Sequence, residues 1–135
     1  MQRLWDLVHG LNVRSKRMAR DLGITGPQRL VLRVLGQSPE LTHGELAGTL
    51  GMHPSTVTGI LQRLERQRLI ARLADPADRR RVRFQLTARG IEIDRARRGT
   101  VEAAVRRALQ RAEPAMIEHA VAMVELLVAE LARDD

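Results

Sequence analysis

Leu41-Thr-His-Gly-Glu-Leu-Ala-Gly-Thr-Leu-Gly-Met-His53, followed by Pro54-Ser-Thr-Val-Thr-Gly-Ile-Leu-Gln-Arg-Leu-Glu-Arg66, is the stretch whose reading decides the fold. Thr42 and Glu45 have the spacing of a capping box, in which the Thr side chain accepts from the N–H of residue 45 and the Glu side chain from that of residue 42. Leu46, Ala47 and Leu50 then form a short apolar face, and Gly51 is a natural C-terminal stop. Gly44 and Gly48 each cost this helix about 1 kcal/mol relative to Ala, so it depends on its neighbours to form. A second helix starts near Pro54-Ser55, with Val57, Ile60, Leu61 and Leu64 as its apolar stripe. Thr56, Thr58, Gly59, Gln62 and Arg63 face the other way, with no bulky group to block approach.

The segments that follow read as a strand, a loop and a strand. Leu69 to Leu73 is the first strand, and Asp75-Pro-Ala-Asp78 is a turn cluster. Val82, Phe84 and Leu86 alternate with Arg81, Arg83 and Gln85, the period of a half-buried strand. The tip of this hairpin carries Arg79, Arg80 and Arg81. A helix followed by a basic hairpin is a shape that can fill one groove of DNA and reach the next.

Further out the pattern is helical. Leu4, Leu7, Val8 and Leu11 recur at i, i+3, i+4 and i+7, giving an amphipathic helix to about Leu22 that stops at Gly23. Pro27 falls in the first turn of the next helix, whose buried face is read as Leu30, Val31, Val34 and Leu35. After Thr87, a plausible N-cap, the helical pattern runs through Ala88–Ala112 until Pro114 breaks it. In the last helix Ile117, Ala120, Val121, Val124, Leu127, Val128 and Leu131 share one broad apolar face. A helix this apolar has to be covered, either by the N-terminal helix of the same chain or by a partner subunit. The favoured reading combines the two, with terminal helices from two chains packed together. Leu4, Leu7, Leu11, Val121, Val124, Leu127, Val128 and Leu131 are the expected dimerisation residues.

Composition agrees with a helical binder. The 135 residues are 44% hydrophobic, yet the only aromatic residues are Trp5 and Phe84, which favours packed helices over a β-sandwich. The 23 Lys+Arg against 16 Asp+Glu give a net charge of +7, and Lys16 is the single lysine. Arginine forms bidentate bonds to phosphate and guanine, so the balance suits DNA, although codon bias accounts for part of the excess outside the hairpin. The absence of cysteine excludes disulfides and thiolate chemistry. No Gly-rich phosphate loop follows a strand and no acid–base constellation has a recognisable spacing, so catalysis is not expected. The histidines at 9, 43, 53 and 119 lack a paired spacing, and neither a metal nor a cofactor is expected. With no signal peptide and no membrane-length apolar run, a cytoplasmic protein is the default expectation.

Taken together, Leu41-Thr-His-Gly-Glu-Leu-Ala47, Ser55-Thr-Val-Thr58, Leu61-Gln-Arg-Leu-Glu65, Asp75-Pro-Ala-Asp-Arg-Arg-Arg81 and Leu86-Thr-Ala-Arg-Gly90 closely resemble the MarR family of bacterial transcriptional regulators. Gly23-Ile-Thr-Gly-Pro-Gln28 is similar to the family's link between its first two helices. The resemblance covers about Leu22 to Gly90, while the terminal helices match in pattern only. It implies a mainly α fold with a small β-hairpin, a winged helix-turn-helix with N- and C-terminal dimerisation helices. The domains would be residues 1–24 and 89–135 for dimerisation, flanking a DNA-binding domain at 25–88. It further implies a homodimer on pseudo-palindromic double-stranded DNA, most often a repressor relieved by a small, often aromatic, effector.

On that reading His53, Pro54, Ser55, Thr56, Thr58, Gly59, Gln62 and Arg63 form the recognition helix surface, with Gln suited to adenine and Arg to guanine. Arg79, Arg80, Arg81 and Arg83 are the wing candidates for a narrow minor groove. Asp75 and Asp78 shape the wing by holding one of these arginines, and the family pattern suggests that Asp78 pairs with Arg80 or Arg81. Trp5 is the candidate for lining an effector pocket, against the plainer reading of a core residue. Gly59 and Ala77 stand where the family often carries larger or basic side chains, which removes two DNA contacts. The competing reading is a winged helix used for protein–protein contact, which would need an apolar or acidic patch on the recognition helix and wing.

Overall fold

The computed structural model describes residues 1–75, 78, 80–96 and 98–133. It contains α1 (Gln2–Leu22), α2 (Gly26–Gln37), β1 (Leu41–Thr42), α3 (His43–Leu50), α4 (Pro54–Arg66), β2 (Ile70–Ala74), β3 (Val82–Leu86), α5 (Ala88–Arg95), α6 (Val101–Leu109) and α7 (Pro114–Leu131). The result is a mainly helical chain with a small antiparallel sheet, the winged helix-turn-helix. It divides into two compact units, residues 1–101 and 102–135.

In the first unit the helix ends follow local chemistry. Thr25 N–H donates to Gln28 Oε1 at 2.8 Å to open α2, and Thr42 N–H to Glu45 Oε2 at 2.7 Å to open α3. Glu45 N–H donates back to Thr42 Oγ1 at 3.3 Å, completing the capping box expected from sequence. Gly23 and Gly51 close α1 and α3 in the left-handed region, at φ 72° and 59°. Thr87 Oγ1 accepts from Gly90 N–H at 3.1 Å and caps α5.

The core lies under α4. Val57, Ile60, Leu61 and Leu64 are buried against Ile24, Val31, Leu32, Leu35, Leu46, Leu69 and Phe84. The sheet order is β1-β3-β2, so β3 is central, with Leu41 opposite Phe84 and Ile70 opposite Leu86. Sequence reading expects only the two-stranded hairpin. A two-residue strand has no readable period, and β1 exists because β3 offers it a ladder.

Three further expectations are corrected. The helical pattern through Ala88–Ala112 is two helices: α5 ends at Arg95 and α6 starts at Val101, with Gly99 at φ 75° and a fully buried Thr100 between them. Leu30 is 44% exposed, whereas Leu32, Gln28 and Arg29 are buried on α2. Arg29 is held because its Nη2 donates to the carbonyls of Asp94 (2.9 Å) and Ala96 (2.8 Å) and its Nη1 to Ile93, supplying positive charge and donors where the last turn of α5 leaves its carbonyls open. Beside it Arg33 Nη1 binds both Asp94 oxygens, at 2.9 and 3.0 Å. Trp5 is 64% exposed and is no part of the core.

The second unit consists of α6 and α7. No residue of α7 is buried: Val121, Val124, Leu127, Val128 and Leu131 are all exposed, Leu131 to 84%. Val105, Leu109, Met116, Ile117, Val121 and Val124 line an apolar groove of about 510 Å³. On α1, Leu4, Leu7 and Leu11 are likewise exposed. No helix among the described residues is long and apolar enough to cross a membrane.

Candidate nucleic-acid interface

Helix α4 turns its four apolar residues into the core, and this orients its other face outward. Ser55, Thr56, Thr58, Gly59, Gln62 and Arg63 are all exposed, as the 3.6-residue period requires once Val57, Ile60, Leu61 and Leu64 are buried. Their hydrogen-bonding states differ. Thr56, Gln62 and Arg63 have no side-chain partner among the described residues and are available to a ligand. Ser55 is engaged: His53 Nδ1 lies 2.8 Å from its Oγ and accepts its backbone N–H at 3.3 Å, so His53 acts as a histidine N-cap with Pro54 in the first turn. Thr58 is engaged as well. Its hydroxyl donates to the Pro54 carbonyl at 3.0 Å, and His43 Nε2, on α3, lies 2.9 Å from the same oxygen. Sequence reading misses His43, because a contact between positions 43 and 58 follows from the α3–α4 crossing.

Besides the shared apolar core, an ion pair joins the wing to α4. Glu65, at the end of α4, binds the Arg72 guanidinium of β2 through both carboxylate oxygens, Nη2 at 2.8 Å from Oε2 and Nε onto Oε1. The guanidinium also lies over the Phe84 ring, 5.6 Å from its centroid. This bidentate pair with a neighbouring carboxylate raises the Arg72 pKa further. Residues 65 and 72 carry no motif that marks them as partners.

The aspartates divide their roles differently from the expected pairing. Asp75 is 2% exposed and its Oδ2 accepts from Arg83 Nε at 2.8 Å, with Glu40 3.9 Å from the same guanidinium. Hydrogen bonding to Asp75 raises the Arg83 pKa and ties the residue to the base of the wing. Asp78 does not pair with an arginine side chain in the described contacts. Its Oδ1 accepts the backbone N–H of Arg80 at 2.9 Å, an Asx-type turn, while its carbonyl accepts that of Arg81 at 2.9 Å. The turn uses the backbone of Arg80 and Arg81 and leaves both guanidinium groups exposed, with no ion pair among the described residues. Arg79 and Ala77, also singled out from sequence, lie outside the described residues.

Arg72, Arg80 and Arg81 line one concavity of about 410 Å³ together with Thr42, His43 and Gly44. The start of α3 and the wing share this concavity, which Val82 and Phe84 also line, and His43 links it to α4 through Thr58. Glu45 is close by on α3, where the backbone and side-chain bonds from Thr42, aided by Arg81 and Arg83, hold its carboxyl below the ordinary value. No group of His, Asp or Glu among the described residues has the arrangement of a metal site.

The MarR family model matches residues 24–82, the helix-turn-helix and most of the wing. Over 90 residues the chain is 37% identical to the HTH-type transcriptional repressor Rv2887 of Mycobacterium tuberculosis, covering 67% of this chain and 65% of that one. It is 35% identical over 80 residues to the HTH-type transcriptional regulator YsmB of Bacillus subtilis, covering 59% and 55%. The chain therefore spans less than two thirds of the length of these relatives. In three dimensions it superposes on the S. aureus MepR–DNA complex with a TM-score of 0.79, 24% identity and 96% coverage of both chains, a likeness of fold. With the family model matched over the helix-turn-helix and most of the wing, residues 24–82 are a MarR-family domain.

Proposed function

We propose that this protein is a dimeric, sequence-specific DNA-binding transcriptional regulator, acting as a repressor. The observation that carries the reading is the surface built by α4 and the wing. Thr56, Gln62 and Arg63 are free on one helix face, and Arg80 and Arg81, on the wing, are exposed with no ion pair among the described residues. Gln62 and Arg63 have the donor and acceptor sets that read base edges in a major groove. Arg80 and Arg81 supply the positive charge that a narrow minor groove or a phosphate attracts. Arg83 contributes by shaping the wing through Asp75 and not as a free cation. Relatives are described as transcriptional regulators or repressors, which supports a binder over an enzyme.

The dimer rests on the exposed apolar residues of α1 and α7. Burying such a surface stabilises an assembly by about 25 cal/mol for each Å² removed from water. Two protomers would set two α4 helices about one DNA turn apart, roughly 34–36 Å. A small, often aromatic, effector that favours a different spacing would relieve repression by population shift.

A protein–protein winged helix would need an apolar or acidic patch where this chain has polar and basic groups. A gel shift on the DNA upstream of the chain's own gene tests the reading. Binding should exceed that to random duplex and weaken steeply with salt. Equal affinity for random DNA, or insensitivity to salt, refutes it.

A further inference from the structure

The side chain of Thr58 is exposed on the outward face of α4, yet its one hydroxyl proton is used inside the protein. Oγ1 lies 3.0 Å from the Pro54 carbonyl and 2.9 Å from His43 Nε2, and that Nε2 is itself 3.0 Å from the Pro54 carbonyl. A carbonyl only accepts, so Nε2 faces it as an N–H, and the hydroxyl completes the triangle by donating to the same carbonyl. In the opposite histidine tautomer the hydroxyl would donate to Nε2. In either arrangement Thr58 has no proton left to donate to a base or a phosphate. With that proton used, the methyl group is what this exposed residue has left for an apolar contact. The adjoining Gly59 is exposed and has nothing within 4 Å of a built Cβ, so the surface beside that methyl is low and a base edge can approach.

We propose that Thr58 reads DNA as an apolar contact selective for the 5-methyl group of thymine, and that His43 is the positioning residue that holds it in this orientation. The inference rests on the DNA-reading function proposed above and adds to it the base for which this position selects. Threonine methyl against thymine methyl is an established mode of direct readout. Its weight comes from removing apolar surface from water.

The test uses the full-length protein and a duplex it selects from a random pool. Each thymine is replaced in turn by uracil, which lacks only the 5-methyl group. The wild type should bind about four-fold more weakly when one particular thymine of a half-site is replaced, the equivalent of one buried methyl. Thr58→Val, which keeps the methyl group and puts a second in place of the hydroxyl, should retain that ratio, and Thr58→Ser, which keeps only the hydroxyl, should bind thymine and uracil equally. His43→Ala should move the ratio toward one, while His43→Gln, whose amide N–H can stand in for Nε2–H, should restore it. A wild type indifferent to uracil at every position, or a Thr58→Ser protein with an undiminished ratio, overturns the role of Thr58. An undiminished ratio in His43→Ala overturns the role of His43. Failure of the wild type to select any duplex would instead refute the proposed DNA reading itself.

Discussion

Gly90→Ala is expected to destabilise the protein severely, although alanine is the better helix former. Gly90 lies in the first turn of α5, where the wing ends, and a Cβ built there would stand 2.0 Å from the Leu69 carbonyl oxygen and 3.4 Å from Leu86 Cβ. Raising that 2.0 Å approach to 3.0 Å needs a backbone shift of about 1 Å. Neither side is free to give. The Leu69 carbonyl accepts from Thr87 N–H at 3.1 Å, the Thr87 hydroxyl donates to the Arg68 carbonyl at 2.8 Å, and Ile70 is already paired with Leu86. Overpacking costs about 1–3 kcal/mol. Breaking the Thr87–Leu69 bond and leaving its groups unsatisfied adds about 1–3 kcal/mol. The helix-propensity gain offsets about 1 kcal/mol of this. The net loss is about 1–5 kcal/mol, a large part of the stability of a small domain. Urea unfolding followed by circular dichroism at 222 nm, at fixed protein concentration, should show a lower midpoint with an unchanged slope. Gly59→Ala on the same assay is the control: with open space around it, it should gain up to about 1 kcal/mol. A Gly90→Ala protein as stable as the wild type would refute the close approach of α5 to Leu69.

Three other outcomes are expected. Arg80→Ala and Arg81→Ala should each lower the slope of log K against log salt by about 0.9 for every phosphate no longer neutralised, and an unchanged slope for both would remove this part of the wing from the DNA interface. Leu127→Glu should shift the protein from dimer to monomer on a sizing column at micromolar concentration, because it places a charge on the apolar face of α7; an unchanged elution volume would place the dimer interface elsewhere. The folded Glu45 carboxyl titrates below its ordinary value because of its bonds to Thr42, so its stabilising contribution is fully present above about pH 4.3 and is lost as pH falls through the lower folded value. Stability should therefore fall less steeply on acidification in Glu45→Gln than in the wild type, and identical pH profiles would mean the capping box is open in solution.

Much of the architecture is legible because it is local. The capping box at Thr42 and Glu45, the glycine stop at Gly51, the stripe through Val57, Ile60, Leu61 and Leu64, and the alternation at Val82, Phe84 and Leu86 each involve residues within a few positions of one another. The exposed face of α4 follows from the same period. Sequence reading fails where the determining partner is distant along the chain. Leu30 reads as buried and Arg29 passes unnoticed, because the carbonyls that hold Arg29 belong to residues 93–96. The break between α5 and α6 leaves a local signal in Gly99 and Thr100, but the apolar pattern running past it conceals it.

By itself the sequence determined the order of helices and hairpin, the side of α4 that faces outward and the arginine-rich tip of the wing, since these depend on backbone propensity and on periods of 3.6 and 2 residues. Only the tertiary structure decided which polar groups remain free on that outward face. His43 reaches Thr58 because α3 crosses α4, Asp75 takes Arg83 because two strands pair in one register, and Asp78 binds backbone because the turn closes around it. A donor already used within the protein is not available to a ligand, and that allocation is settled only when the elements pack.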